Sequence, residues 1–219
     1  RRVGKTVMMR KIVDNYSGRT MMLNGEDYDT LALLENRSIA NYRHLLDGID
    51  LLAIDEAQNI PQIGSILKLI VDEIPGISVL ASGSSSFDLL NKTGEPLVGR
   101  STQFLLTPFS QREIAQIETP FETRQNLEAR LIYGSYPEVV MMENYERKTD
   151  YLRDIVGAYL LKDILAIDGL KNSSKMRDLL RLIAFQLGSE VSYDELGKQL
   201  SMSKTTVEKY LDLLEKVFV

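Results

Sequence analysis

The chain has no cysteine, no tryptophan and a single histidine, His44, among its 219 residues. Without cysteine there is no disulfide framework, no thiolate-held zinc or iron–sulfur centre and no thiol nucleophile. One histidine excludes a paired-histidine catalytic centre and a histidine-rich metal site. His44 lies in the helical stretch Asn41-Tyr42-Arg43-His44-Leu45-Leu46 and reads as a surface or packing residue. No apolar run approaches the ~18 residues that a membrane span requires, and no N-terminal signal pattern is visible. An excess of positive charge is also missing. With 26 Lys and Arg against 31 Asp and Glu, the net charge is −5, and the chain does not coat DNA or an anionic membrane by bulk charge. What is present is 44% hydrophobic and 26% charged. That is ordinary globular composition, with enough chain for one large or two small domains, and it reads as a cytoplasmic protein.

The first residues, Arg1-Arg2-Val3-Gly4-Lys5-Thr6, carry the last three required positions of a phosphate-binding loop, G-x-x-x-x-G-K-[ST]. The first loop glycine falls two residues before Arg1. The other end stops on Val217-Phe218-Val219 without a helix cap, so both ends read as cut. In such a loop, glycines let backbone N–H groups turn toward phosphate oxygens and the following helix adds its positive end. The lysine then places a charge on the outer phosphates, and the hydroxyl ligates magnesium. On this basis Arg2, Val3, Gly4, Lys5, Thr6 and Val7 are the candidate nucleotide-binding residues. Taken alone, Gly-Lys-Thr is equally a turn before an ordinary helix.

A second motif lies about fifty residues downstream. Ile49-Asp50-Leu51-Leu52-Ala53-Ile54 reads as an apolar strand ending in Asp55-Glu56-Ala57-Gln58, the Walker B pattern. Asp55 would hold magnesium together with Thr6, and Glu56 would polarise the attacking water. Two adjacent acids also begin helices as caps, but capping does not account for their pairing with Gly-Lys-Thr. A third strand, Gly76–Ala81, runs into Ser82-Gly83-Ser84-Ser85-Ser86. Ser84 is the candidate for a polar residue that reaches the γ-phosphate or water, with Ser82 and Ser85 close behind. A Gly/Ser turn capping the next helix explains the same residues. Further strands are predicted at Thr20–Leu23 and Ser101–Leu106. Strands alternating with helices predict a parallel sheet with ligand at its carboxyl edge, where Lys5, Asp55 and Ser84 fall. Arg100, just before the last predicted strand, is the candidate arginine for the γ-phosphate. Acting in trans, it would require a homo-oligomer.

The segments RRVGKT, LLAIDEAQNI, LASGSSSFDLL, VGRSTQFLLTPFSQREI and GSYPEVV resemble the prokaryotic AAA+-type P-loop ATPases. These pair an ATPase core with a C-terminal domain of unknown function containing a winged helix. The resemblance spans nearly the whole chain and implies ATP as ligand, magnesium (Mg2+) as cofactor, Glu56 as catalytic base and Ser84 as a sensor-type residue. The departure is the first half of the phosphate loop, without which nucleotide binding is expected to be poor.

The expected architecture is therefore α/β. It comprises a parallel-sheet P-loop NTPase core over residues 1–108, a helical lid or linker over 109–171, and a winged helix-turn-helix module over 172–219. In the last, Tyr193–Leu200, the turn Ser201-Met202-Ser203 and Lys204–Val217 form helix, turn, helix, with Leu196, Leu200, Val207 and Leu211 facing inward. Ser203, Lys204, Thr205 and Thr206 would begin the recognition helix. From Asn172 to Val219, however, seven basic residues meet seven acidic ones. Double-stranded DNA and a protein partner both stay open for this module. Two functions follow: magnesium-dependent ATP hydrolysis coupled to the C-terminal module, or a nucleotide-gated DNA- or protein-binding regulator with negligible turnover.

Overall fold

Five consecutive buried residues, Leu51–Asp55, form the central strand of a three-stranded parallel sheet in a computed structural model of the chain, which describes residues 2–83, 97, 99–160 and 173–216. A strand buried on both faces loses the usual apolar/polar alternation, which accounts for the unbroken run Leu-Leu-Ala-Ile. The strands are β1 (Thr20–Asn24), β2 (Leu51–Asp55) and β3 (Ser78–Ala81), in the order β1-β2-β3. Thr20 pairs with Leu51 and Asn24 with Asp55 on one side, and Leu51 with Ser78 and Ile54 with Ala81 on the other.

Helices make the crossovers that parallel pairing demands. Helix α1 (Lys5–Asp14) precedes β1, α2 (Tyr28–Glu35) and α3 (Ile39–Leu45) join β1 to β2, and α4 (Ile63–Glu73) joins β2 to β3. Asp27 and Ser38 cap α2 and α3 by accepting the backbone N–H of Asp29 and Asn41, each at 3.1 Å. Helix α4 buries Ile63, Ile66, Leu67 and Ile70, the spacing of a single helical face. With Leu34, Tyr42, Leu46, Leu52, Ile54 and Ile60 they make the core of this part of the chain.

The strand predicted at Ser101–Leu106 does not form. Those residues have no regular structure, and Phe104 and Leu105 are 84% and 63% exposed. Strand preference expresses fit to a pleated, half-buried surface, so an apolar run without a pairing edge stays irregular. In the segment expected to be helical, 109–171, the first helix is the short α5 (Gln111–Ile114). Two more, α6 (Pro120–Gln125) and α7 (Leu127–Tyr133), meet at Asn126. Helix α8 (Pro137–Met141) ends the first of two compact units, Arg1–Met141 and Met142–Val219.

In the second unit, α9 (Tyr145–Asp154) runs into a π-helical turn, Ile155–Leu160. Helices α10 (Ser173–Phe185), α11 (Tyr193–Leu200) and α12 (Lys204–Lys216) follow. Met176, Leu179, Leu196, Val207, Tyr210, Leu213 and Leu214 are buried together, with Leu200 and Leu211 half-buried against them. Between α11 and α12, Ser201 takes a left-handed φ of 51° and the Met202 N–H donates to the Gly197 carbonyl at 2.8 Å. Helix, three-residue turn and helix are thus in place. The wing expected after α12 lies outside the described residues.

Two capping boxes hold the α5–α6 segment. Ser110 N–H and Oγ both donate to Glu113 at 2.7 Å, and Thr119 N–H and Oγ1 both donate to Glu122 at 2.8 Å. The backbone N–H donors, followed by the hydroxyls, hold Glu113 and Glu122 below the usual carboxylate range. Burial pushes Glu118 up, but donors from Arg130, Asn126 and Thr123 outweigh it and its net direction is also down. Carboxyls depressed in the folded state stabilise it above their unfolded values, and that contribution is lost as pH falls through the folded values. The urea midpoint of the chain is therefore expected to fall on acidification through and below the ordinary glutamate range. In the combined Glu113→Gln, Glu118→Gln and Glu122→Gln variant the same scan is expected to be flatter.

Candidate active site

The carboxyl edge of the sheet gathers the sequence-predicted residues from three elements. Gly4, with φ of 92°, caps the N-terminus of α1 in a conformation that glycine adopts without steric cost, and Lys5 and Thr6 open the helix. The Thr6 hydroxyl donates to Asp55 Oδ2 at 2.6 Å. Asp55 Oδ1 accepts from the Ser82 hydroxyl and from the Glu56 N–H, the latter at 3.1 Å. Asp55 is 6% exposed, so both its oxygens are engaged where water scarcely reaches. A buried carboxylate is tolerated only when its lone pairs are satisfied in this way.

Glu56 follows in the left-handed region, φ 48° and ψ 40°. A non-glycine residue there costs roughly 1–2 kcal/mol. Neighbouring bonds hold it. The Ala57 N–H donates to the Ser82 carbonyl at 2.8 Å, and the Gly25 N–H donates to the Asp55 carbonyl at 2.8 Å. Gly25 comes so close that a Cβ built on it would lie 2.3 Å from the Glu56 carbonyl oxygen. Gln58, 7% exposed, donates its amide to Glu56 Oε2 at 2.6 Å.

Lys5, Thr6, Asp55, Glu56 and Ser82 therefore meet at one edge. Val3 is half-buried beside Gly4, while Val7 is 72% exposed on α1. Arg2 pairs with Glu138 of α8 at 3.2 Å, drawing the Gly134-Ser135-Tyr136-Pro137-Glu138 segment to the loop. Ser84 lies outside the described residues. Arg100 is not brought to this edge. Its Nε lies 2.6 Å from Asp72 Oδ1, near the end of α4, and α4 ends where β3 and β2 begin. Sequence reasoning passed over Gly25, Gln58 and Glu138. Gln58 stands two places after Glu56, but its burial, which gives it its role, is not written in the local sequence. The other two contacts join residues far apart in the chain.

A hydroxyl and a carboxylate are the hard oxygen donors that suit Mg2+, which takes one or two protein ligands and completes its shell with water and phosphate. Among the described residues no cluster of three or more His, Asp or Glu could hold a metal from side chains alone. The pair Thr6–Asp55 thus fits Mg2+ bound jointly with phosphate.

A parallel sheet with such an edge defines a P-loop-like α/β protein. The AAA domain family matches residues 1–115, just over half of the chain, and the chain belongs to that family. Residues 124–219 match a family described as a domain of unknown function (DUF8612). Uncharacterized proteins of Mycobacterium bovis and Mycobacterium tuberculosis are each 24% identical over 221 aligned residues, covering 100% of this chain and 47% of theirs. An uncharacterized protein of Haemophilus influenzae is 26% identical over 151 residues, covering 64% of this chain and 37% of its own. The chain spans about half the length, or less, of the curated relatives it matches. No helix among the described residues is long and apolar enough to cross a membrane.

Gly25→Ala is expected to force Glu56 off its left-handed turn and to cost about 1–3 kcal/mol of stability, the usual price of overpacking. Urea denaturation beside the parent chain checks this, and an unchanged midpoint would show that the edge can relax around a methyl group.

Proposed function

We propose that the protein binds ATP together with Mg2+, hydrolyses it, and couples its nucleotide state to the C-terminal helical module. The observation that carries this reading is the 2.6 Å bond between the Thr6 hydroxyl and the buried Asp55 carboxylate, with Glu56 next in the chain. That contact joins the helix of the phosphate loop to the tip of the central strand.

Lys5 binds the outer phosphates as a point charge, and the backbone from Arg2 to Val7 supports the phosphates at the positive end of α1. Thr6 and Asp55 would hold the magnesium ion. When bound, it neutralises charge on the phosphate oxygens. Glu56 orients the attacking water and takes its proton while the bond between the γ-phosphorus and the β–γ bridging oxygen breaks. Ser82 keeps Asp55 in place, and Ser84 serves as the sensor-type residue. Arg100, held by Asp72 away from this edge, acts on the γ-phosphate of a second copy in a homo-oligomer.

Phosphate release by the full-length protein tests the reading. Glu56→Gln is expected to lower kcat by about 10²-fold or more with ATP still bound, and Lys5→Ala to weaken ATP binding. Turnover by Glu56→Gln equal to that of the parent overturns it. Tight ATP binding with no turnover in the parent favours the nucleotide-gated regulator instead.

For the C-terminal module a protein partner is favoured over double-stranded DNA. Ser203 Oγ accepts the Thr206 N–H at 3.2 Å and lies 2.9 Å from the Thr205 hydroxyl and 2.7 Å from that of Thr206. Lys204 sits 3.7 Å from Asp194, and Lys175 donates to the Ser201 carbonyl at 2.8 Å. The hydroxyls at the head of α12 thus serve the module itself, and seven acidic residues set against seven basic ones leave no net positive charge to drive counterion release from a duplex. Fluorescence anisotropy with a labelled duplex at low salt is expected to give only weak binding in both the ATP and ADP states. Tight, nucleotide-dependent binding would reverse the preference.

A further inference from the structure

We propose that Gln58 is a positioning residue that sets the carboxylate of Glu56 for attack on the nucleotide, an inference that rests on the hydrolysis reading above. The starting point is an amide in an unusual place. Gln58 stands in the 3-10 turn Ala57–Asn59, flanked by fully buried Ala57 and nearly buried Ile60, and is itself 7% exposed. A glutamine removed from water is costly unless its amide is used. Here Nε2 donates to Glu56 Oε2 at 2.6 Å. A bond to an ionised acceptor is stronger and more directional than one between neutral groups.

The main chain at Glu56 is already fixed. Its N–H donates to Asp55 Oδ1 at 3.1 Å, its carbonyl accepts the Asn59 N–H at 3.1 Å, and the next N–H is bound to Ser82 at 2.8 Å. What a fixed backbone does not settle is the side chain, since glutamate keeps three rotatable bonds. Gln58 binds one carboxylate oxygen and so fixes the plane and reach of the group. Oε1 is then the oxygen that remains to accept a proton. In the step it serves, the water oxygen bonds to the γ-phosphorus, the bond to the bridging oxygen breaks, and the water proton passes to Glu56, leaving ADP and phosphate. Misplacing a reacting group by about 1 Å costs of the order of 10²-fold in rate. The same bond gives the N–H donor of this buried amide a charged partner.

The test measures kcat and KM for ATP on the full-length protein, comparing the parent, Gln58→Met, Glu56→Gln and the double variant. Methionine keeps the length and burial of glutamine but cannot donate. The expected result is a fall of about 10- to 100-fold in kcat for Gln58→Met with KM within about twofold of the parent. Adding it to Glu56→Gln is expected to cause no further loss, because residues acting as a unit are not additive. Gln58→Asn, which keeps the amide one methylene short, is expected to fall between, and carries the test should Gln58→Met fail to fold. The proposal is overturned if Gln58→Met turns over as the parent does. It is equally overturned if Gln58→Met loses the same factor with and without Glu56, or if KM rises in step with the loss, since either pattern marks a purely structural residue. Absence of turnover in the parent overturns the hydrolysis reading and the positioning role with it. A parent whose turnover depends on Glu56 but not on Gln58 overturns the positioning role alone.

Discussion

The carboxylate of Asp55 is the constraint on which the carboxyl edge of this sheet depends. It is a charge at the tip of the most buried strand, 6% exposed, and it is bound by donors from three directions. Thr6 reaches it from the start of α1, Ser82 from the end of β3, and Glu56 from its own turn. Removing one donor would leave a buried carboxylate short of a partner, and such losses exceed the net worth of the bond itself. The three segments therefore hold one another in place. On the proposed reading, the residue that would share a metal with phosphate also organises the edge before any ligand arrives, which is what preorganisation requires.

The cost of this arrangement is local and lies at Glu56, next to the Asp55 carboxylate. Glu56 occupies a left-handed conformation unfavourable to its side chain, and the surrounding contacts impose it: the pairing of Ala57 with Ser82, the close pass of Gly25 and the amide of Gln58. Strain of this kind persists only where neighbours over-determine it. The opposite end of the sheet has a different character. There Arg100 and Asp72 form a half-exposed pair beside the end of α4, where screening by solvent keeps such pairs weak. A pair that contributes little to stability can exchange its carboxylate for another anion at small cost, as a residue serving a second copy would have to do.

The legible parts of this chain were those in which chemistry demands particular side chains at particular spacings. Gly4-Lys5-Thr6 and Asp55-Glu56 could be singled out because a phosphate loop and a strand-end acid pair call for particular side chains, and the apolar run before Asp55 read as a strand, which forms as β2. Gly25 and Gln58 were not legible. The importance of Gly25 is a distance to a backbone oxygen of another strand's turn, and no local pattern records it. Gln58 stood in plain view beside Glu56, but a glutamine there is indistinguishable from a solvated one until burial is known. The failure at Ser101–Leu106 has the converse cause. The apolar run Phe104-Leu105-Leu106 expresses a preference that needs a pairing edge, and Phe104 and Leu105 stand in water.

Charge in the C-terminal unit points the same way as its hydrogen bonds. Equal numbers of basic and acidic residues from Asn172 onward give no net field to draw a polyanion, and Lys204 lies within ion-pair distance of Asp194 in the unit itself. The hydroxyls that would approach a phosphate at the head of α12 instead cap that helix and bond to each other. Recruiting them to DNA would exchange satisfied contacts for new ones, with little counterion release to drive the exchange. Apolar surface is a different matter, because Phe185, the last residue of α10, and Leu187, between α10 and α11, are 88% and 79% exposed. Covering them involves no competing internal bond, and burial of apolar area is favourable without charge of either sign. On the reading proposed above, these terms weigh toward contact of this unit with a protein surface over contact with a duplex.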